Sequence, residues 1–337
     1  MYTALDCITK GYVNGLASKY YHYTTLQACY GIIESNDLWM SDIRYLNDTK
    51  EILSCKRKAL QKIGGNKDRK HSDLFDYYAV SFSKRPDSLS QWQTYADKNH
   101  GVCIEFDLTK DSIFRSLFKG GRIIPQNIIY DPVNVQMIIN HCYEVAEIIN
   151  ENTADVDRTS LTDVERRLSK ILIGGLVSLI SGCVIGCVAG IPNPTLRTKS
   201  QIDEIVKKTE KYLKSQQTTR DIPDIFMQLS QLLYPFVKEK CFAREEEMRI
   251  VAFKQKSASM NVRHRCSNGI IIPYIGIQDL ISPGVECNRT LPITKIIVGS
   301  SVSDKRTVQS IKDYLAHKKM SHIKVTQSRL SYISQSK

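Results

Sequence analysis

The chain has 337 residues, 42% of them hydrophobic and 24% charged, and a formal net charge of +12. That length and mix describe an ordinary globular protein of roughly two domain-sized units, or one domain with a large insertion, and exclude a disordered or fibrous chain. The positive excess favours phosphate-bearing partners, namely nucleic acid, dinucleotides or an anionic membrane surface. The basic residues are nevertheless spread along the chain, densest at Lys56–Lys58 and Asn66–His71.

In chain order, Tyr20–Thr25 (YYHYTT) reads as a short strand. The next segment carries Ala28, Ile32 and Ile33 at helical spacing and predicts a helix ending near Asn36, then a strand at Leu38–Ser41. Arg44 begins a loop that leads into a helix stopped by Gly64-Gly65. Tyr77–Lys84 is a strand, and Ser88–Asp97 is a short helix or loop with Trp92 and Tyr95. His100–Leu108 alternates Val102, Ile104 and Phe106, as a half-buried strand does. Arg122–Pro132 continues the sheet.

From 133 to 240 the apolar period becomes helical. Strands then return at EMRIVAF, GIIIPYIGI and ITKIIVGSS, followed by a helix (DKRTVQSIKDYLAHKK) and a last strand (HIKVTQSRL). The order predicts an α+β fold: one mixed β-sheet domain made of residues 1–132 and 241–337, interrupted by a helical insert at 133–240.

Within the insert, Ile171–Ile191 contains no charge, and Gly182, Gly186 and Gly190 recur every four residues. Such a face suits close helix packing. A single membrane crossing would place the two halves of the sheet on opposite sides of a bilayer. A buried or homo-oligomer-forming element is therefore the first reading and membrane contact the lesser one. The N-terminus lacks a basic region followed by an apolar run, so a cytoplasmic, reducing location is expected. The ten scattered cysteines, without a Cys-x-x-Cys pair or zinc spacing, are expected to be free thiols.

Several polar residues are candidates for chemistry. In CFAREEEMRIV (Cys241–Val251), read as a strand, Glu245, Glu247 and Arg249 share one face and Glu246 takes the other. In isolation such a segment is a solvated edge. His22 sits mid-strand beside Tyr23, where a histidine is usually structural. Ser81 and Ser83 bracket Phe82 and share a face. Trp92 and Tyr95, with Gln91, form core and cap or a stacking surface. Arg44, Asn47 and Asp48 form a polar cluster that also reads as a helix cap. P-loop, G-x-G-x-x-G, H-E-x-x-H and G-x-S-x-G motifs are absent, which removes kinase, dinucleotide-binding dehydrogenase, zinc protease and α/β-hydrolase readings. No metal site is expected.

These segments, Tyr21–Thr25, Leu38–Asp48, Ser81–Ser83, Asp87–Asp107 and Phe242–Arg249 with the closing IIIPYI and KIIVG, resemble a bacterial family catalogued as a domain of unknown function. Met248 stands where that family usually has tryptophan. The resemblance covers about residues 20–110 and 235–335 and leaves out the helical middle. The family in turn is distantly similar to the ADP-ribosyltransferase fold. That likeness implies NAD as the substrate. It places His22 on the ribose, Ser81 and Ser83 in the nicotinamide pocket, and Tyr23, Arg44, Trp92 and Tyr95 among the binding residues. Glu247, with Glu245 beside it, becomes the carboxylate that stabilises positive charge on the ribose, and Arg249 keeps the pair ionised.

Three functions are carried forward. The favoured one is an NAD-consuming transferase or glycohydrolase, a toxin or anti-phage defence effector, with nucleic acid among its acceptors. The second is a nucleic-acid-binding or metal-dependent processing protein using Asp42, Asp48, Glu245 and Glu247. The third is a non-enzymatic sensor that oligomerises through the glycine face.

Overall fold

A computed structural model describes residues 18–46, 51–64, 73–151 and 222–330, apart from positions 74, 111, 120–122, 257–258, 268, 282–283, 285, 303 and 305. In chain order the elements are β1 (Lys19–Thr24), α1 (Leu26–Ser35), β2 (Trp39–Asp42), α2 (Glu51–Lys62), β3 (Phe75–Ser83), α3 (Leu89–Tyr95), β4 (Val102–Asp107), α4 (Ile113–Lys119) and β5 (Ile124–Asn127). They continue with α5 (Pro132–Glu151), α6 (Ile222–Gln231), β6 (Glu247–Gln255), β7 (Arg263–Ser267), β8 (Ile270–Gly276), β9 (Ile293–Val298), α7 (Arg306–His317) and β10 (Lys324–Gln327). The strands form one open sheet in the order β10-β9-β4-β1-β3-β2-β8-β7, with β6 paired to β3 and β5 to β6. The β9–β10 pair is parallel and the other ladders are antiparallel, so the fold is α+β with a mixed sheet. Strands from before and after the helical stretch lie in the same sheet.

Strand β3 organises this sheet. One edge pairs with β6 along its whole length, from Phe75↔Gln255 to Ser83↔Glu247. The other edge is divided. Strand β1 meets it only at Tyr21↔Ser83, and β2 meets it at Ser41↔Ala79 and Asp42↔Tyr78. Strands β1 and β2 therefore diverge, and α1 joins them across the gap. That helix starts where the Thr25 hydroxyl accepts a hydrogen bond from Ala28 N at 3.1 Å, and it ends where Asn36 turns left-handed at φ 47°. Between the two pairings the Ser81 carbonyl needs another donor. His22 supplies it, with Nδ1 3.0 Å away.

Side-chain alternation then sorts β3 and β6 onto two faces. On one, Tyr78, Val80 and Phe82 pack with Met248, Ile250 and Ala252 and with residues of β4, beneath α1, α4 and α7. Met248 is fully buried here, a packing residue. On the other face, Phe75, Tyr77, Ala79 and Val251 are covered by α2, α5 and α6. Further along this same face the side chains change character, to Ser81 and Ser83 opposite Arg249 and Glu247. A third cluster, Tyr21, Tyr23, Trp92 and Cys103, lies under α3. A polar strip thus runs between two apolar covers.

Four expectations need correction. Strand β4 is buried on both faces rather than half-buried, because α3 covers Cys103. Residues 232–240 are not the end of a helix: α6 stops at Gln231, a 3-10 turn spans Tyr234–Phe236, and Val237 bridges Ile129. Pro235 is the breaker. CFAREEEMRIV is neither a single strand nor a solvated edge. Lys240–Glu245 is a 3-10 turn, Glu246 is left-handed at φ 44°, and β6 begins at Glu247, between β3 and β5. Lastly, β7 was not anticipated, since its Arg-His-Arg-Cys-Ser sequence has no apolar face.

The apolar run Ile171–Ile191, with Gly182, Gly186 and Gly190, lies outside the described residues. Among the described residues no helix is long and apolar enough to cross a membrane. The seven described cysteines are free thiols, four of them buried.

The start of β4 leaves no room beside β1. A Cβ on Gly101 would stand 2.3 Å from the Thr24 carbonyl oxygen and 3.0 Å from Ala96. Gly101→Ala is expected to lower stability by about 1–3 kcal/mol in urea denaturation.

Candidate active site

A cleft of about 740 Å³ opens where β1 and β2 part. Strand β1 contributes Tyr21, His22 and Tyr23, β3 contributes Ser81 and Ser83, and β6 contributes Glu247 and Arg249. Tyr95 enters from the end of α3, Lys238 from the extended segment after Pro235, and Glu245 from the 3-10 turn. The remaining wall carries Trp39 and Ser41 of β2, Tyr45, and Arg265 of β7.

Glu247 is nearly buried and held on every side. Arg249 grips it with Nε 2.6 Å from Oε1 and Nη2 3.2 Å from Oε2. Lys238 Nζ lies 3.2 Å from Oε2, and the Ser81 hydroxyl also bonds the carboxylate. Burial alone would raise the Glu247 carboxyl. The charges of Arg249 and Lys238, with the hydrogen bonds of Arg249 and Ser81, outweigh it and hold the group at about 2. Its backbone is fixed too, since Glu247 N donates to the Tyr130 hydroxyl at 2.9 Å.

Glu245 is less confined. Lys238 Nζ lies 2.7 Å from Oε2, and the Tyr95 hydroxyl donates to Oε1 at 3.2 Å. The two glutamates come together through a shared lysine, not through the strand alternation that the sequence implied. Glu246 points elsewhere and pairs with Arg85. The Tyr95 hydroxyl is pushed up to about 12, mainly by burial and further by the two carboxylates, against the opposing pull of Lys238. It stays a donor at neutral pH.

Burial lowers the titration of His22, and its bond to the Ser81 carbonyl only partly offsets that. With Nδ1–H donated to the carbonyl, the neutral ring keeps Nε2 as an acceptor. Ser83 is committed to structure: its hydroxyl donates to the Glu245 carbonyl at 2.8 Å and accepts from Arg85 N at 3.1 Å. Tyr23 lines the cleft with its ring while its hydroxyl donates to Arg85 O and accepts from Ser88 N, both at 2.8 Å.

Two named candidates stand apart from the cleft lining. Trp92 is completely buried, with Nε1 donating to Asp87 at 2.8 Å. Arg44 forks onto Asp42 and reaches toward Asp76. Asn47 and Asp48 lie outside the described residues. Among the described residues no three His, Cys, Asp or Glu side chains converge as a metal site would require.

Sequence reasoning missed Lys238 and Arg265. The Pro235 break was the available signal for Lys238, because a proline shortly after a helical run forces the chain to extend. For Arg265 the signal was period-2 spacing of Arg263 and Arg265 ahead of the GIIIPYI strand.

The carboxylate cluster makes a measurable contribution to stability. The folded value of Glu247 lies below the ordinary 4.5, so its stabilisation is complete above that pH and is lost as pH falls toward 2. It amounts to on the order of 3 kcal/mol. Glu247→Gln is expected to remove this part of the acid slope in pH-dependent urea denaturation. The same variant should lose about 3–5 kcal/mol at neutral pH, because two buried cations lose a counter-ion.

Residues 91–250 match the model of a family described as a protein of unknown function (DUF2971). The match begins within α3, runs through residues 133–240, which the sequence motifs had left out, and ends in β6. It includes Tyr95, Lys238, Glu245, Glu247 and Arg249. Comparison with curated proteins and with solved structures gave no match.

Proposed function

We propose that this chain is an NAD-consuming enzyme of ADP-ribosyltransferase-like type, acting as a transferase or a glycohydrolase. The observation that carries this reading is the junction at the sheet fork. One acceptor-type histidine, one tyrosine donor and two carboxylates line a single cleft there, with two cations beneath the carboxylates.

The chemistry required is cleavage of a glycosidic bond to nicotinamide. As the C–N bond breaks, its electrons leave with nicotinamide and positive charge builds on the ribose. A fixed, ionised carboxylate stabilises that charge because it needs no reorganisation during the reaction. Water or an acceptor hydroxyl then attacks the same carbon.

Glu247 was the first choice for that carboxylate on sequence grounds, but its oxygens already receive Arg249, Lys238 and Ser81. Glu245 is twice as exposed, 15% against 7% for the side chain, and has fewer partners. We therefore assign the facing role to Glu245. Glu247 is a positioning residue, which holds Lys238 and so orients Glu245. His22 Nε2 accepts from a ribose hydroxyl, and Trp39, Tyr45 and Tyr95 supply the ring surfaces for a planar base.

The test is nicotinamide release from NAD by the pure protein. Glu245→Gln is expected to lower turnover by about 100-fold to 1,000-fold, measured on protein shown by circular dichroism to be folded, because Lys238 also loses its nearer counter-ion. Failure of the wild-type chain to release nicotinamide with water or with a panel of protein and nucleic-acid acceptors would defeat the reading. Full activity in Glu245→Gln would defeat the assignment of Glu245.

A further inference from the structure

The cleft lining contains three cations, and they are not equivalent. Lys238 and Arg249 are neutralised by Glu245 and Glu247. Arg265 is not. Its Nη2 donates to the Ser41 hydroxyl at 3.1 Å, and its buried Nε, like that of Arg263, has no hydrogen-bond partner. No carboxylate among the described residues lies within ion-pair distance of it. The neighbouring Arg263, two residues earlier on the same strand face, is held by Asp37 at 3.0 Å and Asp279 at 2.8 Å. A guanidinium that lines a cleft beside a serine hydroxyl and has no carboxylate partner is half of a forked anion contact.

Its position in the sheet matters as much as its charge. Ser41, which anchors the guanidinium, is opposite Ala79, and Glu247 is opposite Ser83 on the far edge of β3. Two strand spacings across and four residues along place the Cα atoms of Ser41 and Glu247 roughly 17 Å apart. The uncompensated positive group and the carboxylate pair therefore occupy opposite ends of one cleft. Such a site suits an elongated, bipolar ligand, with charge developing as positive at one end and fixed as negative at the other.

We infer that Arg265, with Ser41, is the recognition site for the pyrophosphate of a dinucleotide whose glycosidic bond lies at Glu245. This rests on the NAD-consuming reading and adds to it the group that holds the phosphates. A nucleic-acid strand is the disfavoured source of phosphate, because tracking a polyanion requires a row of free cations and the lining offers one among the described residues.

The experiment measures binding of NAD, ADP, nicotinamide riboside and a single-stranded oligonucleotide by calorimetry, for wild type, Arg265→Gln and Arg265→Lys. Arg265 is on an edge strand and partly exposed, so the variants are expected to keep the wild-type unfolding midpoint. Expected are a loss of about 10-fold to 100-fold in affinity for NAD and ADP in Arg265→Gln, a smaller loss in Arg265→Lys, and unchanged binding of the phosphate-free riboside. Equal affinity of wild type and Arg265→Gln for ADP, or no ADP binding by wild type, would overturn the inference even if NAD is cleaved. Arg265-dependent ADP binding without any NAD cleavage would support the phosphate site and defeat the proposed reaction. Tighter, Arg265-dependent binding of the oligonucleotide than of NAD would overturn the dinucleotide assignment.

Discussion

The structure depends on a single strand edge being offered to two partners. A strand has one row of donors and acceptors on each edge, and β3 divides one such row between β1 and β2. Neither partner can run the full length without excluding the other. The sheet must therefore part, and the backbone groups at the parting must find other partners. His22 answers that need, which is why a histidine lies among the tyrosines of this strand. Its tautomer follows from a backbone requirement, and its free nitrogen follows from the tautomer.

The second determinant is how the sheet's faces are covered. One face is apolar except at the end where Asp42 and Asp76 meet Arg44 and Lys254. The other is apolar under α2, α5 and α6 and again under α3, and polar between them. Burying Glu247 and Arg249 in that strip is tolerable only because each satisfies the other and Lys238 completes the set. The four charges of Glu245, Glu247, Lys238 and Arg249 sum to zero. The cleft therefore binds through placement of its groups, and among the described residues that line it only Arg265 adds an unbalanced charge.

Much of the fold was legible because alternation and helical spacing are local signals. The β1–α1–β2 unit, the β3 and β4 strands and the final α7–β10 unit all lie close to where their patterns put them. Single-strand readings failed where the partner decides the outcome. The second face of β4 is dry because of α3, and β7 is a strand because β8 pairs with it. At the site, Arg249 and Glu247 could be grouped by alternation, and the sequence did group them. Glu245 could not: Ala243, Arg244 and Glu245 favour a helical turn, and the chain turns left-handed at Glu246 before the strand begins. Its meeting with Glu247 is made by Lys238, a contact between segments that no spacing rule contains. Trp92 illustrates the reverse error. An indole beside an amide looks like a stacking surface until Asp87 is seen to hold its nitrogen inside the core.

Lys238 has one more consequence. It stands at the end of the segment that returns from the helical stretch, tied there by Val237 to Ile129 and by the Pro235 carbonyl to Arg249. The segment 235–238 is thus no detachable appendage on a finished sheet. Cutting it out and splicing its ends would delete a counter-ion, leaving two glutamates facing one arginine in a largely buried site. Lys238 and the cleft form one electroneutral unit, so neither can be gained, lost or exchanged without the other being rebuilt.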